Sequence, residues 1–238
     1  LTGLAGAAHA ADDDTITITG RTPVKETAST VTIITADDIE KKQAPTVLEA
    51  LRTTPGLTIA QSGGAGQLAT ISLRGATSGQ TLTLIDGVSV NDATSHSGYN
   101  FAFLDASAIE RIEVLRGAGS AIWGSDALGG VINIITYQPG ENDVHAYAEG
   151  GALSTGRIGA RASYAFGPLT LSGYGTAFHP AGISAADEHD GNSENDGSDS
   201  VTLGGRALWA LGGGFSAQIG ARTTQAHFDF DEDPFGST

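Results

Sequence analysis

Carboxylates are the first chemistry this chain offers. Asp187, Glu188, Asp190, Glu194, Asp196 and Asp199 lie between Ala181 and Ser200 with no Lys or Arg among them. Asp229, Asp231, Glu232 and Asp233 follow one segment later. Hard oxygen donors at alternating spacing suit Ca²⁺, which takes about six to eight oxygens in flexible geometry. The spacing is not that of an EF-hand, and a solvated acidic loop is the other reading of the same residues. A second group is basic: Arg74, Arg111 and Arg116 sit in apolar stretches with Glu110 and Glu113 close by. Guanidiniums drawn into such surroundings need carboxylates, because desolvating an unpaired charge costs on the order of several kcal/mol. The third group is two loops, Gly63–Gln67 and Val90–Asn100. Glycines there let a backbone approach a bulky ligand closely, and Gln67, Asn91, Ser95, His96, Ser97 and Tyr99 offer hydrogen bonds.

Other chemistries are excluded. There is no Cys, which removes disulfides, thiolate metal sites and Cys nucleophiles together. No Gly-x-Ser-x-Gly elbow, His-Glu-x-x-His pair or phosphate loop occurs, and the histidines are scattered, so an enzyme is not expected. With 27 acids against 12 bases the formal net charge is −15, the reverse of what nucleic acid would select.

The elements that must position these groups divide near Thr136. Before it the pattern is mixed. Val31–Ile34 predicts a strand, Thr35-Ala36-Asp37-Asp38 caps a short helix, and Pro45 begins a second helix over Thr46–Thr53 that Pro55-Gly56 stops. Strands are expected at Leu57–Ala60, Thr70–Arg74 and Thr81–Ile85, the last closed by the turn dipeptide Asp86-Gly87. Ala108–Leu115 predicts a helical turn entering a strand, and Gly129-Gly130 introduces the strand Val131–Ile135.

After Thr136 the texture is dyad alternation. Arg157, Gly159, Arg161 and Ser163 alternate with Ile158, Ala160, Ala162 and Tyr164. Val201, Leu203, Ala207 and Trp209 share one parity, as do Phe215, Ala217, Ile219 and Ala221. Turns are short except for the acidic 181–200 segment. Alternation alone leaves two readings, the wall of a transmembrane barrel or a soluble β-sandwich.

At the other end, Ala8-His9-Ala10 fits the small-x-small rule of signal peptidase, so residues 1–10 read as the end of a signal peptide. Thr15–Thr19 is β-branched, free of Pro, and follows the polar Asp12-Asp13-Asp14. Such a segment can add as a strand to the edge of a partner's sheet.

The ordered set Asp14–Thr19, Leu48-Glu49-Ala50-Leu51, Ile71-Ser72-Leu73-Arg74-Gly75, Leu84-Ile85-Asp86-Gly87-Val88, Ile109–Gly117 and Trp123–Thr136 resembles the plug domain of TonB-dependent outer-membrane transporters. Within that family, Ser62–Leu68 and Asn195-Asp196-Gly197 are similar to the first substrate loop and the metal-binding barrel loop of cobalamin (vitamin B12) receptors. Ser184 and Phe228 depart from that pattern, where an acid and a Tyr are expected.

The resemblance implies an α+β plug domain followed by the first antiparallel strands of a transmembrane β-barrel, with about 22 strands in the full-length family. The implied division is 11–30 for box and leader, 31–136 for the plug and 137–238 for the wall. It implies an outer-membrane location, lipid contact, and the periplasmic partner TonB at Asp14, Thr15, Ile16, Thr17, Ile18 and Thr19. Cobalamin would meet Ser62, Gly64, Gln67, Leu68, Asn91, Ser95, His96 and Ser97. Ca²⁺ would sit at Asp187, Asp190, Glu194, Asp196 and Asp229, and Arg74, Arg111, Glu113 and Arg116 would hold the plug together. A ferric-siderophore or haem cargo, or a secreted plug-like binding module without a barrel, are the alternatives carried forward.

Overall fold

The computed structural model describes residues 30–62, 67–92, 97–117, 119–137, 142–151, 155–179, 198–213 and 215–228. Residues 14–19, Gly64, Ser95, His96, Asp187, Asp190, Glu194, Asp196 and Asp229 lie outside these ranges.

The first half begins with β1 (Thr30–Thr35) running into α1 (Ala36–Lys41). Thr35 closes a capping box. Its hydroxyl accepts from the Asp38 N–H at 3.2 Å, and the Asp38 carboxylate accepts from the Thr35 N–H at 3.0 Å. These bonds hold the Asp38 carboxyl below its ordinary range. The second helix, α2, is shorter than expected, Val47–Leu51, and its N-cap is Thr46 rather than Pro45. The Thr46 hydroxyl captures the free Glu49 N–H at 3.3 Å, a bond the Pro45 ring cannot make.

β2 (Leu57–Gln61) and β3 (Ala69–Leu73) form a separate antiparallel hairpin. The main sheet joins β4 (Thr81–Ile85), β5 (Val88–Ser89), β6 (Ile109–Arg116) and β7 (Gly130–Thr136) to β1, in the order β1-β6-β7-β4-β5. Only the β4–β7 pairing is parallel. A short helix, α3 (Ser120–Trp123), joins β6 to β7.

The helical turn expected at Ala108–Leu115 is corrected to strand from Ile109. A register shift between Ile109 and Arg111 puts Ile109 on the same face as Ile112 and Val114. That irregular spacing imitated a helical period. The main core packs Ile112, Val114, Ile132 and Ile134 of the sheet against Val47 and Leu51 of α2 and Ile71 and Leu73 of β3.

Beyond Thr136 an antiparallel meander follows: β8 (Asp143–Gly150), β9 (Gly156–Phe166), β10 (Leu169–His179), β11 (Ser198–Gly212) and β12 (Phe215–Phe228). Its faces decide between the two readings of the alternation. Ile158, Val201, Leu203, Trp209 and Ile219 are exposed by 47–75%, whereas Ser163, Thr176 and Thr202 of the opposite parity are 2–6% exposed. A soluble sandwich would bury the apolar set. An apolar outer face with polar residues turned toward a plug is the polarity of a barrel wall. Tyr164, Phe166, Trp209 and Phe215 gather on strand ends beside the two short turns, where aromatic girdles of such walls stand. No described helix is long and apolar enough to cross a membrane, which bears only on helical spans.

Candidate functional site: the loop tips and the plug–wall interface

Two groups of residues carry the candidate function, one at the loop tips and one where plug meets wall. At the tips, the Ser62 N–H bonds the Leu68 carbonyl at 3.0 Å and closes the 62–68 loop. Ser62 and Leu68 are exposed, and Gln67 is half-buried. Asn100 links this loop to the other one: its Oδ1 accepts from both the Ala69 and the Ala102 N–H groups, each at 3.1 Å. A single carboxamide oxygen therefore fixes β3 relative to the 97–103 segment.

Asn91, expected to face substrate, spends its side chain on the scaffold. Its Oδ1 accepts from the Thr83 N–H at 2.8 Å and its Nδ2 donates to the Thr81 carbonyl at 3.0 Å. The amide thereby imitates a strand along the edge of β4. Ser97 is exposed, and Gly98 beside it is buried so tightly that a Cβ would fall 2.7 Å from the Ser78 carbonyl oxygen.

Within the plug, Arg111 is held by two carboxylates, Glu110 at 2.7 Å and the buried Glu113 at 2.8 Å. Glu113 also accepts from Asn133 Nδ2 at 3.0 Å. Arg116, 8% exposed, donates to the Pro55 carbonyl at 2.8 Å and the Thr32 hydroxyl at 2.6 Å, tying β1 to the chain entering β2. Arg74 differs from the expectation of a buried guanidinium. It is exposed in the turn after β3 with φ 51°, its N–H bonding the Gly56 carbonyl at 2.9 Å.

Three wall arginines reach inward. Arg157 of β9 donates to the Pro45 carbonyl at 3.1 Å and pairs with Glu149 of β8 at 2.7 Å. Nearby, burial pushes the Asp105 carboxyl up against the hydrogen bonds from Ser107 and the charge of Arg157. Arg161 stacks on the Tyr137 ring, 4.9 Å from its centroid. Arg206 of β11 pairs with Asp86 at 2.5 Å and bonds the Thr136 hydroxyl at 3.1 Å.

Asp86, Thr136, Arg157 and Arg206 were not singled out from sequence as functional. The signal was present for the arginines, each a cation on the polar parity of an alternating strand. At the far end of β10, His179 Nδ1 lies 2.5 Å from Asp199 Oδ1, joining the strands that flank the acidic segment. Among the described residues no three His, Asp or Glu side chains converge as a metal site.

Residues 23–131 match the family model of the TonB-dependent receptor plug domain. The chain is 38% identical over 173 residues to the vitamin B12 transporter BtuB of Photobacterium profundum, covering 71% of this chain and 28% of that one. It is 41% identical over 127 residues to BtuB of Vibrio vulnificus strain CMCP6, covering 52% and 21%. Among solved structures, a G324V mutant of the ferric enterobactin receptor PfeA of Pseudomonas aeruginosa superposes with a TM-score of 0.65 at 26% identity, covering 83% of this chain and 33% of that one. The siderophore receptor PirA of Acinetobacter baumannii gives 0.66 at 24%, covering 84% and 32%.

Residues 23–131 match a TonB-dependent receptor plug domain, and an antiparallel wall with one polar and one apolar face follows it, an arrangement that resembles the TonB-dependent receptors. Within them it resembles the vitamin B12 transporters. The chain spans about a fifth to a third of the length of the relatives cited here. Relatives of this kind are transporters, not enzymes.

Proposed function

We propose that the full-length protein imports a scarce, bulky substrate across an outer membrane, with cobalamin as the cargo. The observation that supports the import reading is the polarity of the wall: its buried hydroxyls and its plug-contacting arginines share the polar face, and apolar residues face out. The cobalamin assignment is supported by identities of 38% and 41% to vitamin B12 transporters. A ferric siderophore is the second reading, favoured by the likeness to PfeA.

In this reading the substrate settles on the 62–68 and 90–100 loops, with Ser62, Gly64, Gln67, Leu68, Ser95, His96 and Ser97 as its contacts. Asn91 and Asn100 hold those loops in register from below. Asp14–Thr19 adds as a strand to the sheet of TonB, which pulls on the plug. Ca²⁺ at the acidic segments would order the outer loops over the cargo.

Radiolabelled cobalamin uptake by cells making the full-length receptor tests the reading. Uptake that depends on the receptor is expected; uptake unchanged by its deletion, with siderophore uptake lost, would transfer the assignment to the second reading.

A further inference from the structure

Asp86 occupies an unusual position. It lies in the left-handed region at φ 52°, followed by Gly87 at φ 80°, and this tight turn joins β4 to β5. The turn swings its carboxylate over the end of β7. There Oδ1 accepts from the Thr136 N–H at 2.9 Å and Oδ2 from the Thr136 hydroxyl at 2.7 Å. The Arg206 guanidinium closes on the same Oδ2 and the same hydroxyl. Three elements thus meet at one point: the β4–β5 hairpin, the last residue of the last plug strand, and the wall.

This ion pair crosses from wall to plug. Arg157, by contrast, pairs with the wall's own Glu149 and touches the plug through the Pro45 carbonyl. The Arg206 side chain is 7% exposed and that of Asp86 22%, so solvent screens the pair weakly. Beside it, a cleft of about 590 Å³ separates the hairpin from β10–β12. Tyr99, Val90, Tyr174 and Arg222 line the cleft, and Asp86 and Arg206 line it as well. Tyr99 and Val90 belong to the substrate-loop region, so the cleft connects that region with the ion pair.

We propose that Asp86 and Arg206 are positioning residues that keep the cleft from widening, fixing the hairpin and the end of β7 against β11 until the plug is strained. Breaking the pair frees the hairpin from the wall, and the cleft widens into the cargo's path. This inference rests on the import reading, but its test needs neither the cargo nor the energised partner.

The experiment measures single-channel conductance of the full-length receptor in a planar bilayer, together with entry of a large hydrophilic antibiotic into cells lacking the energising partner. Asp86→Asn keeps an acceptor for Thr136 and removes the charge; Arg206→Met removes the cation; Arg206→Lys keeps it. D86N and R206M are expected to raise conductance and entry by roughly fivefold or more, with R206K near the parental level. Heat-modifiable migration on gels confirms that each variant is assembled, and D86N serves alone if R206M does not assemble. Conductance of the assembled variants within roughly twofold of the parent, or R206K leaking as freely as R206M, would overturn the proposal. Leaky variants of a receptor that imports nothing would sink the import reading and leave the seal standing; tight variants of an active importer would sink the seal alone.

Discussion

Glu113 and Asn133 face each other across the β6–β7 ladder, and Asn133 Nδ2 donates to the carboxylate whose other oxygen holds Arg111. Both residues are almost fully buried, so the pair places a fixed negative charge inside an apolar sheet. Glu113→Ala should destabilise the receptor by about 2 kcal/mol, below the range for a fully buried pair because Arg111 keeps Glu110 and some solvent. Thermal unfolding of the detergent-solubilised receptor measures this, and a Tm unchanged from the parent would refute it.

Asn100 is the hinge pin between the two loops at the candidate binding face. In Asn100→Ala the Ala69 and Ala102 N–H groups lose their common acceptor, a loss of about 1–3 kcal/mol. Hydrogen exchange at those two amides should accelerate, while amides within β6 and β7 keep their rates. Asn100→Asp retains an oxygen acceptor and should restore most of the protection.

Asp105 gives a pH signature. Its carboxyl pKa is raised by burial, so the folded state prefers the neutral form. Folding is therefore penalised as pH rises from the unfolded-state value through the raised folded value, and the penalty persists above it. Asp105→Asn removes the penalty. The variant should melt higher than the parent at neutral pH, and the gap should close below about pH 4, where both forms of the parent are protonated. A gap independent of pH would contradict the assignment.

Ile16 tests the pulling segment. Proline in its place removes a ladder donor, so Ile16→Pro should abolish energised uptake by the full-length receptor and leave substrate binding intact. Normal uptake would remove strand addition as the mode of engagement.

Calcium is tested by chelation. Removing Ca²⁺ with EGTA, or replacing Asp187, Asp190 and Asp196 with Asn, should weaken cobalamin binding by roughly tenfold if the acidic segments order the outer loops. Binding unchanged in either condition would leave these residues as a solvated surface.

The fold was largely legible because its signals are local. The Thr35 capping box, the Asp86-Gly87 turn and the dyad alternation after Thr136 each depend on a few neighbouring residues. What escaped was set by distant partners. The bulge at Ile109 blurred strand into helix, and β8 was not read because Ala146 and Ala148 give its alternation little contrast. At the site, Asn91 has the composition of a ligand contact, yet β4 claims both ends of its amide. Arg206 meets Asp86 across 120 positions, and nothing near either residue announces the other.

One short connection limits how far the domain can travel. Seven peptide links join Thr136, where β7 ends, to Asp143, where β8 begins. Fully stretched they reach about 25 Å. Whatever the leader is made to do, that leash keeps β7 within roughly one bilayer thickness of its mooring. While β7 stays folded, Thr136 can move no farther than that from the start of β8.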